Sequence, residues 1–195
     1  MFSDLRSALR PALVMTLLFA ALLGLAYPLA LTGFGQTLFP AQANGSLIRD
    51  HDKVIGSALI GQRFTSDAYF HGRPSAAGAT GYDASASAGS NPGPASRALA
   101  DRISADVKAL SRTAPGRPVP PDLVTTSASG LDPHISPEAA FFQVARVAGA
   151  RGVPATSVRA LVADAIETPM LGFLGEPRVN VLLLNRTLDR RFAHR

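Results

Sequence analysis

The chain contains no cysteine. That excludes disulfides, thiolate metal sites and a cysteine nucleophile, and it is compatible with an oxidising compartment without requiring one. Lysine is nearly absent as well, occurring only at Lys53 and Lys108. The formal charge of +5 therefore rests on scattered arginines with no basic run interleaved with aromatics, so nucleic acid is not an expected partner. Arg186, Arg190, Arg191 and Arg195 read as a solvated tail or a partner contact. Enzyme motifs are missing too: no GxxxxGK[ST], HExxH, GxSxG or Ser-x-x-Lys occurs. The histidines, His51, His71, His134 and His194, are too scattered to suggest a ligand set, and no metal site or bound cofactor is expected.

The most informative absence is of charge: no Asp, Glu, Lys or Arg lies between Pro11 and Ile48. As a helix, Ala12 to Phe34 reaches about 35 Å, enough to cross a hydrocarbon core of about 30 Å with some tilt. Pro28 removes one backbone donor and crowds the carbonyl of Gly24, which predicts a kink near residues 24 to 28. A cleaved signal peptide is the rival reading, since Ala41-Gln42-Ala43 has the form of a cleavage site. The apolar run is too long for that, and the cut would fall well beyond its end, so a retained anchor is expected. Arg6 and Arg10 precede the run and no basic residue follows until Arg49, which puts the N-terminus in the cytoplasm. The expected organisation is a cytoplasmic tail over residues 1–11, a transmembrane helix over 12–34 and an extracytoplasmic domain over 35–195. The localisation that follows is a single-pass protein of the inner membrane.

Alternating polarity predicts a hairpin from Ser46–Arg49 and Val54–Gly61. Phe64, Tyr69 and Phe70 are expected in the core, and residues 76–94, rich in Ala, Gly and Ser, as a long loop. Leu99, Ile103, Val107 and Leu110 form one stripe of a helix over about 95–110. Four prolines between Thr113 and Pro121 make a connector, and Asp122 to Leu131 is expected to begin as a short strand. Ser136-Pro137-Glu138 is a helix start, with Ser136 as N-cap, Pro137 at N1 and Glu138 facing the positive end. That helix is expected to reach about Ala150 with Phe141, Val144, Ala145 and Ala148 inward. A second starts near Pro154, burying Val158, Leu161, Val162, Ala165 and Ile166 and ending at Thr168-Pro169. Val179 to Leu184 reads as an interior strand. Strands and helices together give an α+β (mixed α/β) domain.

Polar groups of several kinds converge only at Asp132-Pro133-His134 with Thr125, Thr126, Ser127 and Ser129. Capping and loop support explain them most simply, and a binding surface comes next. A cell-envelope hydrolase using Ser127 or Ser129 with His134 and Asp132 requires a triad within hydrogen-bonding reach. A stand-alone periplasmic scaffold or solute-binding protein is the remaining class.

Several longer motifs resemble the KdpC subunit family of the bacterial high-affinity potassium-transporting P-type ATPase. They include Tyr27-Pro28, Gln42-Ala-Asn-Gly-Ser46, Tyr69-Phe-His-Gly-Arg-Pro-Ser75 and Gly89-Ser-Asn-Pro-Gly-Pro94. The most specific are Ser129-Gly-Leu-Asp-Pro-His-Ile-Ser-Pro137 and Leu174-Gly-Glu-Pro-Arg-Val-Asn-Val181. The sequence departs from the family pattern at Ala88 and Pro92, where Gly and Leu are commoner. The resemblance implies a non-catalytic accessory subunit of a complex in which partners handle potassium and ATP. Those partners are a channel-like potassium-translocating subunit, a P-type ATPase catalytic subunit and a small single-span membrane subunit, all in the lipid bilayer. It also implies a catalytic-chaperone role that raises the ATP affinity of the ATPase subunit. With the large domain on the opposite face from the ATP site, only residues 1 to about 10 and the helix are placed to transmit that effect. The candidate partner contacts are Gly24, Tyr27 and Pro28 on the helix, and Asn91, Ser129, Asp132 and His134 outside it.

Overall fold

The structure, a computed structural model, describes residues 2–50 and 52–192. His51, His194 and Arg195 lie outside them. The chain divides into a helical unit reaching Leu47 and a globular unit from Ile48 onward.

In the helical unit, α1 (Phe2–Ala21) leads through a π-helical turn (Leu22–Ala26) into α2 (Tyr27–Leu38), followed by the short α3 (Pro40–Ala43). The stretch Arg6–Leu38 is long and apolar enough to cross a membrane, and none of its most apolar window is buried inside the protein. The irregularity expected at Pro28 takes the form of that π turn. The Tyr27 amide bonds the Leu22 carbonyl five residues back, and the wider turn makes room for a proline ring that cannot donate.

The globular unit opens with a hairpin, β1 (Leu47–Asp50) and β2 (Lys53–Ser57). A long segment without regular structure then leads to α4 (Arg97–Ser111), capped by Ser96, whose side chain accepts from the Leu99 amide. Its apolar stripe is present, yet no α4 residue is buried. Asp122 belongs to a 3-10 turn (Pro121–Leu123), not the start of a strand, because the preceding prolines withhold the donors a ladder needs. The strand lies later: β3 (His134–Ile135) precedes α5 (Pro137–Arg151), α6 (Ala155–Asp164), β4 (Ile166–Glu167), β5 (Arg178–Asn180) and α7 (Val181–Arg191). β5 is the centre of an antiparallel sheet ordered β3-β5-β4, with His134 opposite Asn180 and Ile166 opposite Val179.

Several expectations are corrected here. The interior strand Val179–Leu184 is a strand only to Asn180; there the Asn180 side chain accepts from the Leu183 amide and starts α7. Val181, Leu182, Leu184 and Leu188 are then one buried helical face, and Arg186, Arg190 and Arg191 belong to a helix instead of a tail. In α5 the cap Ser136 is as expected, the helix stops at a left-handed Gly152, and Val144 and Ala148 are buried as expected, but the buried face also carries Phe142, Gln143 and Val147. Phe141 is half-buried under the Arg159 guanidinium, and Ala145 is exposed. A polar Gln143 inside the apolar face disguised the helix phase. Likewise α6 stops at Asp164, so Ile166 pairs in the sheet.

Phe70, fully buried as expected, shows how the loops are fixed to this core. Asn185 on α7 accepts from its amide at 2.8 Å and donates to its carbonyl at 2.9 Å. Gln143 on α5 does the same for His71, at 2.8 and 3.0 Å. Two side-chain amides thus replace neighbouring strands for a segment that has none. Arg146 donates to the carbonyls of Asp67 and Tyr69, and Arg151 to those of Ala68 and Phe192 and to Asp189.

Candidate functional site

The 76–94 segment is a loop, but a fastened one. The Ser75 hydroxyl donates to the Gly130 carbonyl at 2.5 Å, while the Ala88 amide and Ser87 hydroxyl both reach the Ser129 carbonyl at 3.0 Å. Ser90 and Thr126 share a hydroxyl hydrogen bond of 2.7 Å. Gly130 makes the approach possible: at φ +66°, a Cβ there would stand 2.6 Å from the Ala88 carbonyl oxygen and 2.8 Å from the Ala77 nitrogen. These long-range bonds make the expected long loop a platform.

Arg73 is the hub of that platform, and sequence reasoning left it out of the candidate set. Its Nη1 donates to Asp132 Oδ2 at 3.1 Å, its Nε to the Thr125 carbonyl at 3.3 Å and its Nη2 to Thr125 Oγ1 and the Thr126 carbonyl. Tyr82 donates to the Arg73 carbonyl, and burial, reinforced by the Asp132 charge, pushes its phenol up to about 12, so it stays a protonated donor. The signal that could have found Arg73 is that no other Asp, Glu, Lys or Arg lies between Asp67 and Asp83, while Asp132 is the one carboxylate of the Thr125–His134 polar cluster.

Asp132 accepts from the His134 amide at 2.9 Å, and the His134 imidazole stands 3.7 Å away. The His134 side chain first, then its amide and Arg73, hold the Asp132 carboxyl below the usual carboxylate range against the opposing cost of burial. The other face of the imidazole approaches Glu167 at 3.9 Å, and Glu167 is bonded to Arg178 at 2.9 Å. Arg73, Asp132, His134 and Arg178 line a recess of about 380 Å³ that also includes Asp122, Ser136 and Glu176. Asn91 lies apart, left-handed at φ 44° and exposed, on a second recess of about 370 Å³ with Leu99, Arg102 and Ser127. Ser129 links the two regions through its carbonyl while its hydroxyl accepts from the Leu131 amide.

Of the predicted exterior residues, Asp132 and His134 therefore share one recess, Asn91 opens to another and Ser129 lines neither. A triad is not assembled: among the described residues the hydroxyls of Ser127 and Ser129 face one another at 3.5 Å, and neither bonds His134. The same residues contain no group of three or more His, Asp or Glu placed to hold a metal ion. On the helical unit, Gly24 is open, with nothing within 4 Å of the site of a Cβ, and Tyr27 is exposed.

An apolar helix none of whose most apolar window is buried among the described residues, joined to a mixed α/β unit whose polar residues hold loops in place, defines a membrane-anchored interaction subunit. The chain belongs to the family described as KdpC: K+-transporting ATPase, c chain, whose model matches residues 9–190. It is 64% identical over 187 residues to the potassium-transporting ATPase KdpC subunit of Caulobacter vibrioides, covering 95% of this chain and 94% of that protein. It is 58% identical over 196 residues to the protein of that description from Bradyrhizobium diazoefficiens, covering 95% and 98%, and 59% identical over 182 residues to the one from Nitratidesulfovibrio vulgaris, covering 92% of each. It is a single-span inner-membrane protein with its globular unit outside the cytoplasm.

Proposed function

We propose that this chain is the non-catalytic accessory subunit of an ATP-driven potassium uptake pump, stabilising the assembled complex and supporting ATP use by a partner. The observation that carries this reading is the family match over nearly the whole chain, with relatives of equal length named as potassium-transporting ATPase subunits. The finer assignment names a channel-like subunit, a P-type ATPase subunit and a small single-span subunit as partners. Residues 1–11 face the cytoplasm, 12–34 span the bilayer and 35–195 lie outside.

Gly24, Tyr27 and Pro28 pack against a partner helix, since a glycine with open space above it permits close approach in lipid. Asn91, Ser129, Asp132 and His134 contact the outer surface of the channel-like subunit. The support for this second contact is that their loops are already ordered, which lowers the entropic cost of docking. An influence on ATP affinity travels through the helix and residues 1–11, and it requires contacts that differ in energy between pump states. Purifying the detergent-solubilised chain and assaying what accompanies it tests the proposal: a potassium-stimulated ATPase is expected to co-purify. A chain recovered alone under conditions that keep the pump intact sinks it.

A further inference from the structure

Away from the anchor, the largest exposed apolar side chains are concentrated in the hairpin between β4 and β5. Met170 is 72% exposed, Leu171 74%, Phe173 73% and Leu174 52%. Four such side chains at one loop tip are unusual on a surface facing only water. We propose that this hairpin is a membrane-contact element whose apolar tip enters the interface of the lipid bilayer.

Three observations favour lipid as the occupant. From Thr168 to Gly175 the chain has no charged residue, while Glu167, Glu176 and Arg178 stand at the base, with Glu167 bonded to Arg178 at 2.9 Å. An apolar tip above a charged collar matches the polarity gradient of a bilayer interface. Second, the tip satisfies part of its backbone itself: Gly172 donates to the Pro169 carbonyl and Leu174 to the Met170 carbonyl, both at 3.0 Å. Amides already paired lose little on leaving water. Third, Leu171 occupies the left-handed region at φ 56°, a conformation costly for a residue with a Cβ, and its side chain is exposed there. Because the chain carries its own membrane-spanning helix, the bilayer is present at high effective concentration, so a weak insertion suffices.

The inference rests on the chain being anchored in a bilayer and not on which proteins it assembles with. It is therefore testable on the full chain alone, and its failure leaves co-purification of the pump untouched. The absence of cysteine gives a clean probe. Phe173→Cys, and separately Leu171→Cys in case the first folds poorly, are labelled with an environment-sensitive fluorophore in full-length protein reconstituted into phosphatidylcholine vesicles. Lys108→Cys on α4 is the water-exposed reference. The expected result is blue-shifted emission, several-fold weaker iodide quenching than at position 108, and quenching by lipids carrying a nitroxide near the headgroup. With no basic residue in the tip, added anionic lipid is expected not to strengthen these effects. Equal iodide quenching at all three positions overturns the proposal. So does shielding that appears only when the other pump subunits are added, which would assign the tip to a protein pocket.

Discussion

The two units of this chain use their side chains in opposite ways. Along Arg6–Leu38 the backbone bonds fall within the helix, apart from the donors that Pro11 and Pro28 lack, and none of the most apolar window is buried, so the surface is left for lipid and neighbours. In the globular unit the polar side chains turn inward: Asn185, Gln143, Arg146, Arg151 and Arg73 are spent on the backbone of loops. The contrast teaches where to look for function. In the helical unit the exposed apolar side chains of Arg6–Leu38 offer a surface to a partner, whereas in the globular unit most polar residues that look functional are structural. What remains available there are the recess edges and the Met170–Leu174 tip.

Substitutions test that contrast, beginning with the largest expected effect. Asn185→Leu strands the buried amide and carbonyl of Phe70 and is expected to cost about 4 kcal/mol of globular-unit stability, read by denaturant unfolding in detergent. Gly130→Val drives a Cβ into the Ala88 carbonyl in a backbone conformation that valine resists, for a loss of about 3 kcal/mol by the same measurement. If either variant unfolded at the wild-type midpoint, the loops would not be fastened as described.

Arg73→Lys keeps the charge but gives up the guanidinium fork, and a loss of about 1 kcal/mol is expected together with faster proteolysis of the 76–94 loop. Acid separates Asp132 from the other carboxylates. Because its folded pKa is depressed, its stabilising contribution is complete above the ordinary aspartate value near 4 and is lost as pH falls through the lower folded value. Wild type should therefore lose more stability than Asp132→Asn across that window, measured as midpoint against pH. The smallest effect on folding belongs to Gly24→Leu, expected within about 0.5 kcal/mol of wild type because the added side chain meets open space. Its effect is instead reserved for assembly. Reduced co-purification of the ATPase with unchanged unfolding is the expected outcome, and unimpaired co-purification would remove Gly24 from the interface.

Sequence patterns that are local were legible without coordinates. The apolar run, the Ser136-Pro137-Glu138 start and the hairpin each depend on residues a few positions apart, and each is found, although the second hairpin strand ends at Ser57, short of the expected Gly61. The site was legible in part: Asp132 and His134 line one recess, but Asn91 opens to another, Ser129 lines neither and Arg73 was overlooked. Long-range bonding accounts for the gap. Arg73 meets Asp132 across 59 positions, and Asn185 meets Phe70 across 115.

By itself, then, the sequence determined the membrane anchor, the mixed α/β class and the family, because charge depletion, caps and motifs are properties of neighbouring residues. Only the tertiary structure decided that Val181–Leu184 is a helix and that the glycine-rich segment is a fastened platform. It also decided that an apolar tip stands unpaired above a charged collar. A one-dimensional pattern does not say which distant backbone an amide or guanidinium will find, and in this globular unit those encounters set the shape of the surface.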